Sequence, residues 1–427
     1  MSKHLIIASY DGISTHYCGV GTIIRNTIYT LSSIVDFRKI KVSLAFIATD
    51  KNGKVYNQTC FQESIDLVKK TGGFLLPLCN GTKGFDESDM WKSFPQWDGT
   101  CASLATSLNI ILQHDDDNIV MLHDTPFLPF AKFKKQMFDK PVRSFYLPHS
   151  SGLNHNFGDD KWRKKRVQLE NDYFALIKAD KSSSVIATGE SFAKHLRTDY
   201  QLAFSNNDFL KNGLCFNQYE QNKKTIVGCR QLNKFNIQIP DNSKIIFSWG
   251  RCSIAKGFKE LVDVWKEIHV ELPNYYLILQ APNNSGENDY FQYLKEQSDI
   301  IPRTIVIDEF NPEIWKTILR CENTDIVCLP SLMDPNPHTP IEAKLFCEDM
   351  NYTIVASERD GIKETFNDEE CLRINPSDKK QFSQTILNAT KISTDVRKEM
   401  MKNNCQSLNR FDYSYNLKIF LENFNCI

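Results

Sequence analysis

Apolar positions along this chain fall into short continuous runs, separated by longer stretches in which they recur every three or four residues. Leu5–Ala8, Val42–Ala48, Ile119–Leu122, Arg143–Leu147 and Ser184–Ala187 are the runs of the first half. Runs without polar alternation predict strands of a parallel sheet covered on both faces. After the first of them, Ile23, Ile24, Thr27, Ile28, Leu31 and Val35 share one face of a predicted helix, the crossover that parallel strands require. A polar stretch from Tyr219 to Ser243 interrupts the pattern, which then restarts. Ile245–Trp249, Tyr275–Leu279, Thr304–Ile307, Asp325–Leu329, Thr353–Ala356 and Cys371–Ile374 read as strands. Phe258, Leu261, Val262, Trp265 and Ile268 mark an amphipathic helix among them. The fold class this predicts is α/β, with two doubly wound domains facing a cleft.

Composition narrows the function more than the fold. The chain has 427 residues, enough for two or three domains, and its 41% apolar and 24% charged residues are ordinary globular usage. Lys plus Arg is 51 and Asp plus Glu is 52, for a net charge of -1, so no nucleic-acid partner is expected. No segment approaches the roughly 18 apolar residues of a spanning helix, which leaves at most peripheral membrane contact. The short run Leu5–Ala8 reads as a first strand, not the core of a signal peptide. Thirteen scattered cysteines without a Cys-x-x-Cys pair suggest reduced thiols and a cytoplasmic location.

Three loops carry candidate chemistry. Tyr17-Cys18-Gly19-Val20-Gly21-Thr22 lies between the first strand and its helix, where Gly19 and Gly21 serve either a tight turn or the approach of an anionic ligand. Ile24 stands where a dinucleotide fingerprint needs a small residue, and no Walker lysine follows. The second half opens with Ser248-Trp249-Gly250-Arg251 and Lys256-Gly257-Phe258. Cations at Arg251 and Lys256 would suit a departing diphosphate, on which negative charge grows; the plainer reading is two surface cations on a loop. The third loop runs from Leu329 to Ala343 and contains Asp334, Asn336, His338, Thr339 and Glu342, with Pro340 suited to a first helical turn. His123-Asp124 and His149 follow predicted strands, where ligands of open α/β sheets bind. Asp115-Asp116-Asp117 reads as a solvated turn and Lys161–Arg166 as a solvated helix face, with an acceptor or membrane-surface contact as the alternative for the latter. Trp315, with Ile318 and Leu319 at helical spacing, reads as a core aromatic.

Taken in order, these motifs resemble the retaining GT-B glycosyltransferases typified by sucrose synthases, glycogen synthases and bacterial mannosyltransferases. Asp334 and Glu342 have the spacing of that family's Glu-x7-Glu motif, and Thr339-Pro340-Ile341-Glu342-Ala343 its usual ending. Arg251 and Lys256 match its diphosphate pair, Gly19 and Gly21 its first loop, and His149 a histidine ending a strand of its N-terminal domain. Lys211-Asn212-Gly213-Leu214 and Gly361-Ile362-Lys363-Glu364 resemble two further loops. The sequence departs from the pattern in two places: the first acid is aspartate, and Pro337 replaces a small glycine.

The resemblance implies an acceptor-binding domain over 1–240, a nucleotide-sugar-binding domain over 241–406, and a terminal segment, 407–427, whose helix returns to the first domain. It implies a hexosyltransferase moving a sugar from a nucleotide diphosphate sugar, a UDP-sugar by family precedent, with retention. Catalytic roles would fall to His149, Arg251, Lys256 and Asp334, and substrate contacts to Gly19, Gly21, His123, Asn336, His338, Thr339 and Glu342. No metal and no cofactor beyond the co-substrate is expected. The rival readings are a catalytically weakened nucleotide-sugar-binding protein, a transferase acting on a sugar-phosphate acceptor, and a nicotinamide oxidoreductase, against which Ile24 argues.

Overall fold

The computed structural model describes residues 3–36, 39–53, 55–80, 93–138, 141–155, 160–220, 223, 225–283 and 288–427. They form two compact units, Met1–Cys215 with Tyr413–Ile427, and Phe216–Asp412.

The first unit contains β1 (Lys3–Ser9), β2 (Ile40–Ile47), β3 (Leu75–Leu78), β4 (Asp117–His123), β5 (Val142–Leu147) and β6 (Ser183–Val185). All pair in parallel, in the order β3-β2-β1-β4-β5-β6. β2 and β3 lie to one side of β1 and β4 to the other, so the chain changes direction between β1 and β4. Open α/β sheets bind ligands beyond the carboxyl ends at such a place. Leu5, Ile6, Ile7 and Ala8 are fully buried, and the helix Gly19–Ile34 turns Ile23, Ile24, Ile28 and Leu31 onto the sheet. β3 was absent from the sequence reading; it is a four-residue strand at the sheet edge and contains Pro77, which removes a ladder donor and masks the strand signal. The last helix, Tyr413–Asn423, belongs to this unit: the Tyr413 hydroxyl lies 2.8 Å from Thr27 Oγ1, and Phe420 packs edge-on to Phe145.

The second unit contains β7 (Lys244–Trp249), β8 (Tyr275–Gln280), β9 (Thr304–Ile307), β10 (Thr324–Leu329), β11 (Thr353–Ser357) and β12 (Leu372–Ile374). They are parallel in the order β12-β11-β10-β7-β8-β9, with the change of direction between β7 and β10. The helix Phe258–Ile268 buries the apolar face read from its spacing. The polar stretch that looked like a connector packs into this unit: Cys229, Leu232 and Ile237 are buried, and Val227 bridges to Cys321. The compact units divide along the chain at Cys215/Phe216 and Asp412/Tyr413, beside the bounds at 240 and 406 that the resemblance implies. No described helix is long and apolar enough to cross a membrane. All thirteen cysteines are described, and no disulfide joins any two of them.

Candidate active site

In the second unit, the loops leaving β7 and β10 lie on the two sides of the switch point and are stitched to one another. The β7 loop turns at Gly250, makes one 3-10 turn over Ile254–Lys256, and enters its helix through Gly257. The Ala255 carbonyl accepts from the amides of Leu332 (2.8 Å) and Met333 (3.3 Å) in the β10 loop. Gly257 has φ +68°, and a Cβ there would stand 2.0 Å from the Pro330 carbonyl oxygen. Only glycine allows this approach of the two loops.

That stitching fixes the side chains. The Lys256 ammonium is paired with the Asp334 carboxylate, both mostly shielded. The Asp334 backbone is clasped by the loop after β11: its amide donates to Asp360 Oδ2 (3.1 Å) and its carbonyl accepts from Gly361 N (3.1 Å). A Cβ on Gly361 would meet the Pro335 oxygen at 2.5 Å and Pro337 Cδ at 2.6 Å, so Pro337 and this glycine fit as a pair. Arg251 is exposed beside them in sequence, and Asn336 is half-buried. His338 and Thr339 are buried at the start of the short helix Thr339–Leu345, where the His338 carbonyl accepts from Glu342 N.

Glu342 is the most perturbed acid of the loop. It is 9% exposed, and its Oε2 accepts from Trp249 Nε1 at 2.7 Å. Burial pushes its carboxyl up to about 7, against the pull of the Trp249 hydrogen bond and of Lys256 and Lys316. Its indole partner is stacked on Phe247 (5.1 Å) and Trp315 (6.1 Å). Trp315, buried as expected of a core aromatic, is thus also a wall of the Glu342 environment.

In the first unit, the carboxyl ends of β1, β4 and β5 gather a second polar cluster. His123, ending β4, places Nδ1 3.2 Å from His149 Nε2, and the two rings are nearly parallel, 5.5 Å apart. Burial depresses both imidazoles, for His149 against the opposing Asp124 carboxylate, so the pair is neutral near pH 7. His123 is fully buried, and its ring contact is to His149. Asp124 adopts φ +80°, a costly conformation for a residue with a Cβ. It is held there by Tyr10 Oη (3.1 Å), Thr125 N (2.8 Å) and His149 N (3.1 Å), all donating to its carboxylate.

The first glycine loop has its own anion. The Asp11 carboxylate accepts from the amides of Gly12 (2.9 Å), Tyr17 (3.2 Å) and Cys18 (2.9 Å) and from Thr15 Oγ1 (2.7 Å). A Cβ on Gly21 would stand 2.2 Å from Asp11 Oδ2. Gly21 therefore makes room for the protein's own carboxylate at this helix start, while Gly19 is exposed. Asp11 and Asp360 carry no signal in the sequence, and Trp249 reads only as the end of a strand; each is an ordinary residue type made special by distant partners. The basic run Lys161–Arg166 is solvated only in part: Arg166 is 2% exposed, binds Glu170 Oε1 (2.8 Å), and donates to Thr125 Oγ1 and Ser150 Oγ. The Asp115–Asp117 turn differs similarly, since Asp116 is buried and Asp117 holds the Arg143 guanidinium with both oxygens.

Two Rossmann-like units, each with its loops gathered at the switch point of a parallel sheet, define the class by fold: GT-B. Residues 230–407 match the family model described as glycosyl transferases group 1, so the second unit carries a domain of that family. No curated protein matches the sequence. Among solved structures, the chain is similar to sucrose-phosphate synthase from Thermosynechococcus elongatus, with TM-score 0.72 and 14% identity over 100% of both chains. It is similar to an E. coli trehalose-6-phosphate protein bound with UDP-2-fluoro glucose, with TM-score 0.72 and 15% identity over 100% of this chain and 99% of that one. A third similar structure is the α,α-trehalose 6-phosphate synthase of Burkholderia multivorans, with TM-score 0.71 and 13% identity over 100% and 98%.

Proposed function

We propose that the protein transfers a sugar from a uridine diphosphate sugar to an acceptor hydroxyl, with retention at the anomeric carbon. The observation that carries this reading is the pairing of Lys256 with Asp334, with Arg251 on the same loop and Glu342 a few residues on, across the switch point of the second sheet. Cations already in place cost no reorganisation when charge grows on the departing diphosphate. Arg251 and Lys256 take that task. Asp334 accepts from hydroxyls of the transferred sugar, and Glu342 from the ribose. Asn336, His338 and Thr339 complete the donor loop. His149 offers the sugar a neutral hydrogen-bonding group without a fixed charge. No carboxylate is assigned as nucleophile. The bond from the anomeric carbon to the diphosphate oxygen breaks, the bond to the acceptor oxygen forms on the same face, and the acceptor proton passes to the departing phosphate oxygen.

A sugar phosphate is the acceptor class to try first, because similar structures bear the names of sucrose-phosphate and trehalose-6-phosphate synthases. The test is a thermal-shift screen of nucleotide sugars followed by transfer assays on hexose phosphates and neutral sugars. A ligand at 100 times its dissociation constant stabilises by about 2.7 kcal/mol. Binding without transfer to any acceptor, and without donor hydrolysis, would favour the weakened-binder reading. Turnover is expected to be unchanged by EDTA, since Arg251 and Lys256 supply the positive charge.

A further inference from the structure

Glu342 is nearly buried, yet among the described residues only Trp249 donates a hydrogen bond to it. A carboxylate accepts about four bonds on its two oxygens, so this one keeps acceptor positions open to solvent or a ligand. The donor it does have is unusually rigid. Trp249 is 5% exposed and is stacked with Phe247 at 5.1 Å and 5° and with Trp315 at 6.1 Å and 12°. Phe346, one turn beyond Glu342 in the chain, closes the edge of Trp315 at 5.3 Å. The indole N–H therefore points in one direction and takes Oε2 with it.

We propose that Trp249 is the positioning residue of the donor site: by fixing Glu342 Oε2 it leaves the other carboxylate oxygen to the ribose hydroxyls of the nucleotide. This rests on the donor reading given above and adds to it a residue that never touches the ligand. A pH dependence follows. The ionised carboxylate accepts from both the indole and a ribose hydroxyl, and more strongly than the acid, which has also given up one acceptor position to its proton. The groups facing Glu342 are Trp249 on β7, Lys256 on the turn after it and Lys316 on the helix Pro312–Leu319. Burial outweighs all three and sets the carboxyl near 7. One pH unit below that midpoint about a tenth of the carboxylate is ionised, and one unit above about nine tenths.

The experiment is a pair of titrations on the full chain, comparing wild type, Trp249→Phe and Glu342→Gln. Phenylalanine keeps an aromatic ring in the stack and removes only the N–H. Intrinsic tryptophan fluorescence without nucleotide should titrate near pH 7 in wild type and not in Glu342→Gln. Calorimetric binding of UDP should weaken roughly tenfold from pH 8 to pH 6 in wild type, beyond any change in Glu342→Gln, which reports protonation of the diphosphate alone. In Trp249→Phe the binding midpoint should move up by about one pH unit, the effect of losing a hydrogen bond to a charged group. Its affinity should be poor at pH 7 and recover at pH 9. A deficit constant at every pH would assign Trp249 to packing and overturn the proposal. So would equal affinity of wild type and Trp249→Phe throughout, while leaving the donor reading intact. Failure of wild type to bind UDP or GDP at any pH would overturn the donor reading, and the proposal with it.

Discussion

A departing diphosphate gains most from cations that are held before it arrives. Replacing Arg251 or Lys256 by alanine should lower turnover by roughly 10²–10³, the usual effect of removing one preorganised donor, with little change in the thermal midpoint. Steady-state kinetics beside a melting curve check this; normal turnover in both variants would leave the pair as surface charge. Glu342 gives a prediction of opposite sign for stability and function. Its carboxyl holds a proton more tightly folded than unfolded, rising from 4.5 to about 7, so its contribution is fully favourable below pH 4.5 and is lost as pH rises through 7. The loss approaches about 3 kcal/mol at alkaline pH. Glu342→Gln should therefore be more stable than wild type at pH 8, by a margin that shrinks at pH 6, while losing nucleotide affinity. Denaturant unfolding at the two pH values reads it. In the first unit, His149→Ala should keep nucleotide affinity and lose transfer by orders of magnitude. His123→Phe, which keeps the ring and removes the bond to His149 Nε2, should lower kcat with little effect on donor KM.

At the scale of elements, the proposed donor site depends on two loops being pressed together and on the short helix Thr339–Leu345 staying in place. Gly257→Ala brings a Cβ against the Pro330 carbonyl and should unstitch the loops, lowering both the unfolding midpoint and nucleotide affinity. The helix is tied at its far end by Lys344, wholly buried, whose ammonium binds Glu370 Oε2 at 2.7 Å. Lys344→Ala strands that carboxylate and should cost about 3–5 kcal/mol, measurable by denaturant titration. Among the described residues, eleven of the twelve strands could be read as apolar runs, because burial on both faces leaves a local trace. The Asp334–Glu342 loop could also be read, because its proline, acids and spacing sit in one segment. Long-range packing left no such trace. Arg166 looks like its lysine neighbours until Glu170, Thr125 and Ser150 close around it, and the burial of His123 comes with its place at the end of a central strand, against His149. Trp249 reads as the end of a strand; only the fold brings Glu342 to its indole.

Across the whole molecule, two sheets of the same topology carry unlike chemistry at their switch points. The second offers cations and acids beside an aromatic stack, suited to a sugar nucleotide. The first offers a neutral histidine pair and an aspartate in a strained backbone, with an internal carboxylate already at the start of the first helix. That carboxylate argues against a dinucleotide pyrophosphate there, in keeping with Ile24 in the fingerprint position. The central claim is sugar transfer from a nucleotide diphosphate sugar with retention. Its most direct measurement is proton NMR of the anomeric signals while the protein turns over a UDP-α-sugar with a hexose-phosphate acceptor. Loss of the donor signal with appearance of an α-linked product is predicted; a β-linked product as the first species formed would contradict it.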